Sequence, residues 1–250
     1  MRHIARWIGI GIALMVLGLG SVSLAGSRAG ISDGQKDQLK AIAANTRGRT
    51  GRERDALRRA RMELLQAYSS YDINERKARI ASERVSAAQL NLLNIHLDNE
   101  VALHNVFNAD QFQEFRNLMK RRMRDPEMLV LSPPEDAVLD RLPDRRMLNA
   151  LGIDEEDQKR LKPNPQGLKA IRDLSRDTNQ LLDLYSDYTL DSAAARKLID
   201  TIHQEQISLL AAQHQRQKAI RQVLSEDQFQ KLREEITKRM SERNRRGPKR

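Results

Sequence analysis

The sequence predicts an all-α fold of two tandem helical-hairpin units, elongated and thinly packed, within one chain. Three observations carry this. Residues 62–123 and 179–240 align without a gap at a constant offset of 117 positions, so one helical unit is used twice. Roughly a third of the paired positions are identical. Leu64-Leu65 matches Leu181-Leu182, Tyr68-Ser69 and Tyr71 match Tyr185-Ser186 and Tyr188, and Asp110-Gln111-Phe112-Gln113 matches Asp227-Gln228-Phe229-Gln230. Aromatic residues make up 4% of the chain and charged residues 31%, the composition of long helices rather than of a sheet. Finally, a short capping motif recurs four times, twice in each unit and in the same order. With so few aromatic anchors, the core must come from Leu, Ile, Val, Ala and Met, which predicts thin packing.

The chain opens on a targeting pattern over residues 1–25. Arg2, His3 and Arg6 form a positive start, Trp7 to Leu19 an apolar stretch, and Ser23-Leu24-Ala25 a small-x-small cleavage site before Gly26. The reading is a signal peptide. An uncleaved anchor is the alternative, because the run from Ile8 to Ala25 nearly reaches the ~20 apolar residues of a spanning helix. Either way the body is expected in an envelope compartment, the periplasm. The chain has no Cys, which excludes disulfides, thiol catalysis and thiolate metal sites. The net charge is +10. It would be about +8 without the signal, and export argues for anionic surfaces or acidic client segments, and against nucleic acid, as partners.

The first unit spans residues 26–124, a proline-rich linker residues 125–144, the second unit residues 145–243, and a basic disordered tail residues 244–250. Each unit reads as a short helix, a helix ending near a Tyr pair, a long helix and a last helix. The capping motifs begin at Ile31, Phe107, Ile153 and Leu224. In each, an apolar residue precedes an N-cap: Ser32, Asn108, Asp154 or Ser225. Three residues on comes Gln35, Gln111, Asp157 or Gln228. The cap side chain accepts a backbone N–H, and Gln at that spacing reaches back to the cap's own N–H. Leu224 and Phe229 have the spacing of a hydrophobic staple.

The first long helix is expected to start near Asp72 or Asn74 and to end at Val106. Its seam of Ala81, Val85, Ala88, Leu92, Ile95, Asn99, Ala102 and Val106 advances in alternating steps of four and three. Leu198, Ile202, Glu205, Leu209, Ala212, Arg216, Ala219 and Val223 repeat that register. The polar members Asn99, Glu205 and Arg216 mark where the seam would face water or a partner. Lys162-Pro163-Asn164-Pro165 separates the second unit's first two helices, and Asn45 to Gly51 is the expected break in the first unit.

Leu224-Ser225-Glu226-Asp227-Gln228 is a loosened LTxxQ motif, with Ser for Thr. With the other three caps, and with Asp191-Ser192-Ala193-Ala194-Ala195-Arg196 at the start of the second long helix, the chain resembles the Spy/CpxP family of exported helical proteins and the related periplasmic heavy-metal-resistance sensors. The resemblance covers nearly all the mature chain, twice. It implies two Spy/CpxP-like hairpin units forming an elongated pseudo-dimer in one chain, where family members usually carry one unit and pair as homodimers into a curved cradle. The function implied is an ATP-independent, stress-responsive chaperone that binds unfolded or misfolded envelope proteins on a concave basic-apolar surface. The alternative is a membrane-associated regulator or heavy-metal sensor acting on a membrane signalling protein. Homodimerisation of the whole chain is a further expectation.

No nucleophile elbow, glycine-rich phosphate loop or HExxH is present, so no enzyme activity is expected. No cofactor is expected either. His96, Glu100 and His104 are spaced along one helix face and are the candidate ligands for a divalent metal. Their counterparts Gln213, Gln217 and Arg221 do not repeat that chemistry, so a solvated, charge-paired face is the default. His203 and His214 sit about 16 Å apart along a helix, too far for one ion. Tyr68, Tyr71, Tyr185 and Tyr188 are either a client-contacting patch or, as favoured here, packing at each hairpin turn.

Overall fold

A computed structural model describes residues 30–123, 145–161 and 165–245. The expected signal segment, the linker and the last five tail residues lie outside the described residues. All the described elements are helices: α1 (Asp33–Ala67), α2 (Glu75–Val106), α3 (Ala109–Met123), α4 (Arg145–Ala150), α5 (Glu155–Arg160), α6 (Pro165–Ser186), α7 (Ser192–Val223) and α8 (Glu226–Arg245). Helix α8 carries the chain two residues into the stretch expected as a disordered tail. No described helix is long and apolar enough to cross a membrane.

The two long helices α2 and α7 are each 32 residues and occupy the same register of the repeat. Asn74, of the two candidates, caps α2 by accepting from the Lys77 N–H, and Asp191 caps α7 by accepting from Ala193 and Ala194. Four helices pack in three main pairs: α1 on α2, α6 on α7, and α2 on α7. The α1–α2 hairpin is antiparallel. The pairs Thr46–Asn99, Glu53–Asn91 and Glu63–Arg84 run in opposite directions along the two helices. Helices α2 and α7 also cross antiparallel, through Glu75–His214 at one place and Ser86–His203 further along.

The expected break at Asn45 to Gly51 is absent, and α1 runs unbroken for 35 residues. No proline interrupts that stretch. Thr46 and Thr50 turn inward there, and the Thr46 hydroxyl donates to Asn99 Oδ1 at 3.0 Å. Asn99 therefore marks neither water nor a partner; it is buried inside the first hairpin. In the second unit, α5 ends at Arg160 and α6 begins on Pro165, whose ring fits a first helical turn but not a helix interior.

The seam is buried from Ala81 to Asn99 in α2 but only at Ile202 among the matching positions of α7. The cause is length: α6, with 22 residues, covers less of α7 than 35-residue α1 covers of α2. The core lies in four clusters. One joins the units: Leu93 and Leu97 of α2 pack with Leu174, Leu181 and Tyr185 of α6 and with Ala195, Ile199 and Ile202 of α7. A second fills the first hairpin near its turn, with Ala60, Leu64, Tyr68, Ala78 and Val85. The other two sit under the last helices, around Phe107, Phe112 and Phe115 in one unit and Leu224, Phe229 and Leu232 in the other. Met147 and Leu148 of α4 join the latter, an element the sequence pattern did not indicate.

Leu97 is fully buried in the cluster shared by three helices. Leu97→Ala should lower stability by about 2–5 kcal/mol through lost contact and cavity formation. Because both hairpins share that cluster, urea unfolding followed by far-ultraviolet circular dichroism should shift its midpoint and remain one transition.

Candidate functional site

The chemistry-bearing side chains gather at two junctions, where the turn of each hairpin meets the other unit. Turn one follows α1 and carries Tyr68, Ser69, Ser70 and Tyr71. It lies against the end of α7 and the start of α8. Turn two follows α6 and carries Tyr185, Asp187 and Tyr188. It lies against the end of α2 and the start of α3.

The junctions use matching positions of the repeat for matching jobs. The Tyr71 hydroxyl donates to the Leu224 carbonyl at 2.8 Å and to the Arg221 carbonyl at 2.9 Å. Its counterpart Tyr188 donates to the Phe107 carbonyl at 3.2 Å, and Phe107 occupies the repeat position of Leu224. Arg221 donates to the Ser70 carbonyl, and His104, at the same repeat position, contacts the Asp187 carbonyl, the counterpart of Ser70. Arg116 donates to the Tyr185 carbonyl at 2.5 Å, and Arg233, its counterpart, to the Ser69 carbonyl. Each junction also stacks a guanidinium on the matching ring: Arg116 lies 4.7 Å from the Phe112 centroid and Arg221 4.4 Å from that of Phe229.

Two features are particular to one junction. At turn two, Arg116 forms an ion pair with Glu100, and both side chains are buried. Burial pushes the Glu100 carboxyl above the ordinary carboxylate range, while the Arg116 charge and hydrogen bond pull it back. The matching Gln217 is uncharged and accepts from Arg221 at 3.0 Å. At turn one, the Tyr68 hydroxyl meets His214 Nδ1 at 3.0 Å, and His214 Nε2 meets Glu75 at 2.9 Å. Lys218 reaches the other Glu75 oxygen at 3.2 Å. Such a chain can relay a proton. Burial and then the Glu75 charge push the Tyr68 hydroxyl up to about 12, so it is not activated as a nucleophile.

The capping residues sit as expected. Ser32 with Gln35, Asn108 with Gln111 and Ser225 with Gln228 each exchange reciprocal bonds, and Asp154 accepts from the Asp157 N–H. The glutamines do more than cap. The Gln35 amide donates to the Val106 carbonyl at 2.7 Å and to Gln111 Oε1 at 2.9 Å, so two helix starts and one helix end are laced together. Gln228 donates to the Leu151 carbonyl at 2.9 Å. The tyrosines stand at the turns; the hydroxyls of Tyr68, Tyr71 and Tyr188 meet groups of the other unit, whereas that of Tyr185 is buried without a hydrogen-bond partner.

The three candidate metal ligands have different surroundings. His96 is 4% exposed, and burial and then the Arg54 charge hold its imidazole down to about 4. Glu100 pairs with Arg116, and both ring nitrogens of His104 face backbone carbonyls. Among the described residues no group of three or more His, Asp or Glu is arranged to hold a metal. Sequence reasoning missed Arg116, Arg221, His214 and Glu75. Arg221 entered there only as the counterpart of His104, and the repeat alignment, which pairs Arg116 with Arg233 and His104 with Arg221, carried the one trace of their role.

Compared with known proteins, the chain matches no family model, no curated protein and no solved structure.

Arg116→Met should cost about 3–5 kcal/mol in chemical denaturation, because it strands the Glu100 charge in the interior. The double variant Glu100→Gln, Arg116→Met should lose less. The His96 imidazole is lower in the folded chain than its usual 6.5. The unfolded chain therefore binds the extra proton, and stability present above pH 6.5 is lost as pH falls toward 4, by about 3 kcal/mol. His96→Leu should flatten that loss, as read by urea midpoints between neutral and acid pH.

Proposed function

We propose that this is an exported, periplasmic, non-enzymatic protein of Spy/CpxP-like type, whose two units form a pseudo-dimer in one chain. It binds unfolded segments of envelope proteins reversibly and without nucleotide. The observation that carries this reading is the reciprocity of the two junctions. Matching repeat positions brace each unit against the other, as two copies of a homodimer would, and the four helix caps follow the order of the LTxxQ proteins.

The surface supports transient binding. Met62, Leu168, Leu182 and Ile207 are between 37% and 50% exposed on a chain of net charge +10. Apolar contact acts at short range, and the positive field draws acidic or partly folded chains in at longer range.

The test is aggregation of a denatured model client, followed by light scattering with residues 26–250 at stoichiometric ratio. Suppression should be present at low salt and weaken as salt rises. No suppression at any salt would sink the reading. Met62→Asp combined with Leu182→Asp should at least halve the suppression, about the loss expected from removing two apolar contacts, with helix content unchanged.

A further inference from the structure

We infer that His104 is a pH-responsive latch between the two units, closed when its imidazole carries two protons, and that Arg221 is the permanently closed version of the same latch. The inference stands independently of the client-binding reading.

The argument is one of hydrogen-bond arithmetic. His104 Nδ1 lies 2.7 Å from the Glu100 carbonyl oxygen, and Nε2 lies 2.8 Å from the Asp187 carbonyl oxygen. A carbonyl can only accept. Both contacts therefore need an N–H, and a neutral imidazole has one. Deprotonation turns one contact into two facing lone pairs across the joint between α2 and turn two.

The second unit shows the same bridge built from a group that does not titrate. Arg221 donates to the Gln217 carbonyl at 2.7 Å and to the Ser70 carbonyl at 2.8 Å. Gln217 and Ser70 are the repeat counterparts of Glu100 and Asp187. So the two units hold one carbonyl of the long helix and one of the opposing turn by a cation in each case. In one the cation is guanidinium at every accessible pH; in the other it is an imidazolium, which exists only while the ring holds a second proton.

The surroundings fit a cation. His104 occupies the last turn of α2, where helix carbonyls present negative partial charge. Glu100 faces it from α2, and Arg116 from α3 is already committed to Glu100 and to the Tyr185 carbonyl. Tyr188 from turn two stacks with it, its hydroxyl bound to Phe107, and Phe112 from α3 packs 4.3 Å away. The Asp187 side chain is exposed, and its backbone oxygen makes the contact.

Hydrogen exchange on the full chain tests this, comparing peptides over residues 184–191 and 67–74 from about pH 5.5 to 8, the range of imidazole charge change. After correction for intrinsic exchange, protection at 184–191 should fall about tenfold as pH rises, the worth of one charge-assisted hydrogen bond. All arms are read in a His96→Leu, His214→Gln background, which removes the buried imidazole of α2 and the imidazole that meets Tyr68 and Glu75 at turn one; there, protection at 67–74 should stay flat. His104→Arg should make turn two flat, and Arg221→His should give turn one the dependence it lacked. Flat protection at 184–191 in that background, with His104 intact, overturns the latch. So does Arg221→His leaving turn one flat, a variant that keeps the test decisive if His104→Arg fails to fold.

Discussion

The hairpin turns carry backbone carbonyls, and many of these take their donors from the opposite unit. Tyr68, Ser69, Ser70 and Tyr71 on one side, and Tyr185 and Asp187 on the other, face Arg221, Arg233, Arg116 and His104. A carbonyl shut away from water without a partner is costly. Once the turns dock, the positions of α3 and α8 follow, because Arg116 and Arg233 project from them. The shared cluster of Leu97, Ile199 and Tyr185 then supplies the non-directional part of the attraction.

Much of this frame was legible. The caps were readable because a cap is a local device: Ser32 and Gln35 meet within one turn whatever lies beyond them. The long helices were readable because their apolar steps are regular and their caps clear. What was not readable is non-local. Asn99 looked like a polar fault in an apolar seam, and its partner Thr46 lies in a helix whose pattern predicted a break. The tyrosines were rightly placed at the turns, but nothing in a one-dimensional pattern says that Tyr71 reaches Leu224 rather than its own hairpin. His104 and Arg221 look unrelated until their acceptors are known to be matching carbonyls.

The two hairpins are unequal in packing. The first lines α2 with buried apolar residues from Ala78 to Leu103. Polar groups are buried in both, Thr46, His96, Asn99 and Glu100 in the first and Asp177, Gln206 and Gln217 in the second. Glu205, close enough to Asp177 to share its charge and hydrogen bonding, has its carboxyl pushed up to about 7, first by burial and then by Asp177. The proton on Glu205 is therefore favoured in the folded chain, and it leaves as pH rises from the ordinary carboxylate range toward neutrality. Its sign is opposite to that of His96, so the two hairpins meet acid differently.

Ser86 and His203 occupy one position of the repeat and touch each other, the hydroxyl 3.5 Å from the imidazole Nε2. In an assembly of identical chains, a side chain at such a spot confronts a copy of itself. It must be a residue that tolerates its own company: two imidazoles would compete for the same proton, and two hydroxyls would leave a gap. Joining the copies in one polypeptide lifts that restriction. A donor can stand against an acceptor of different size, and each half is free to mutate toward the other rather than toward itself.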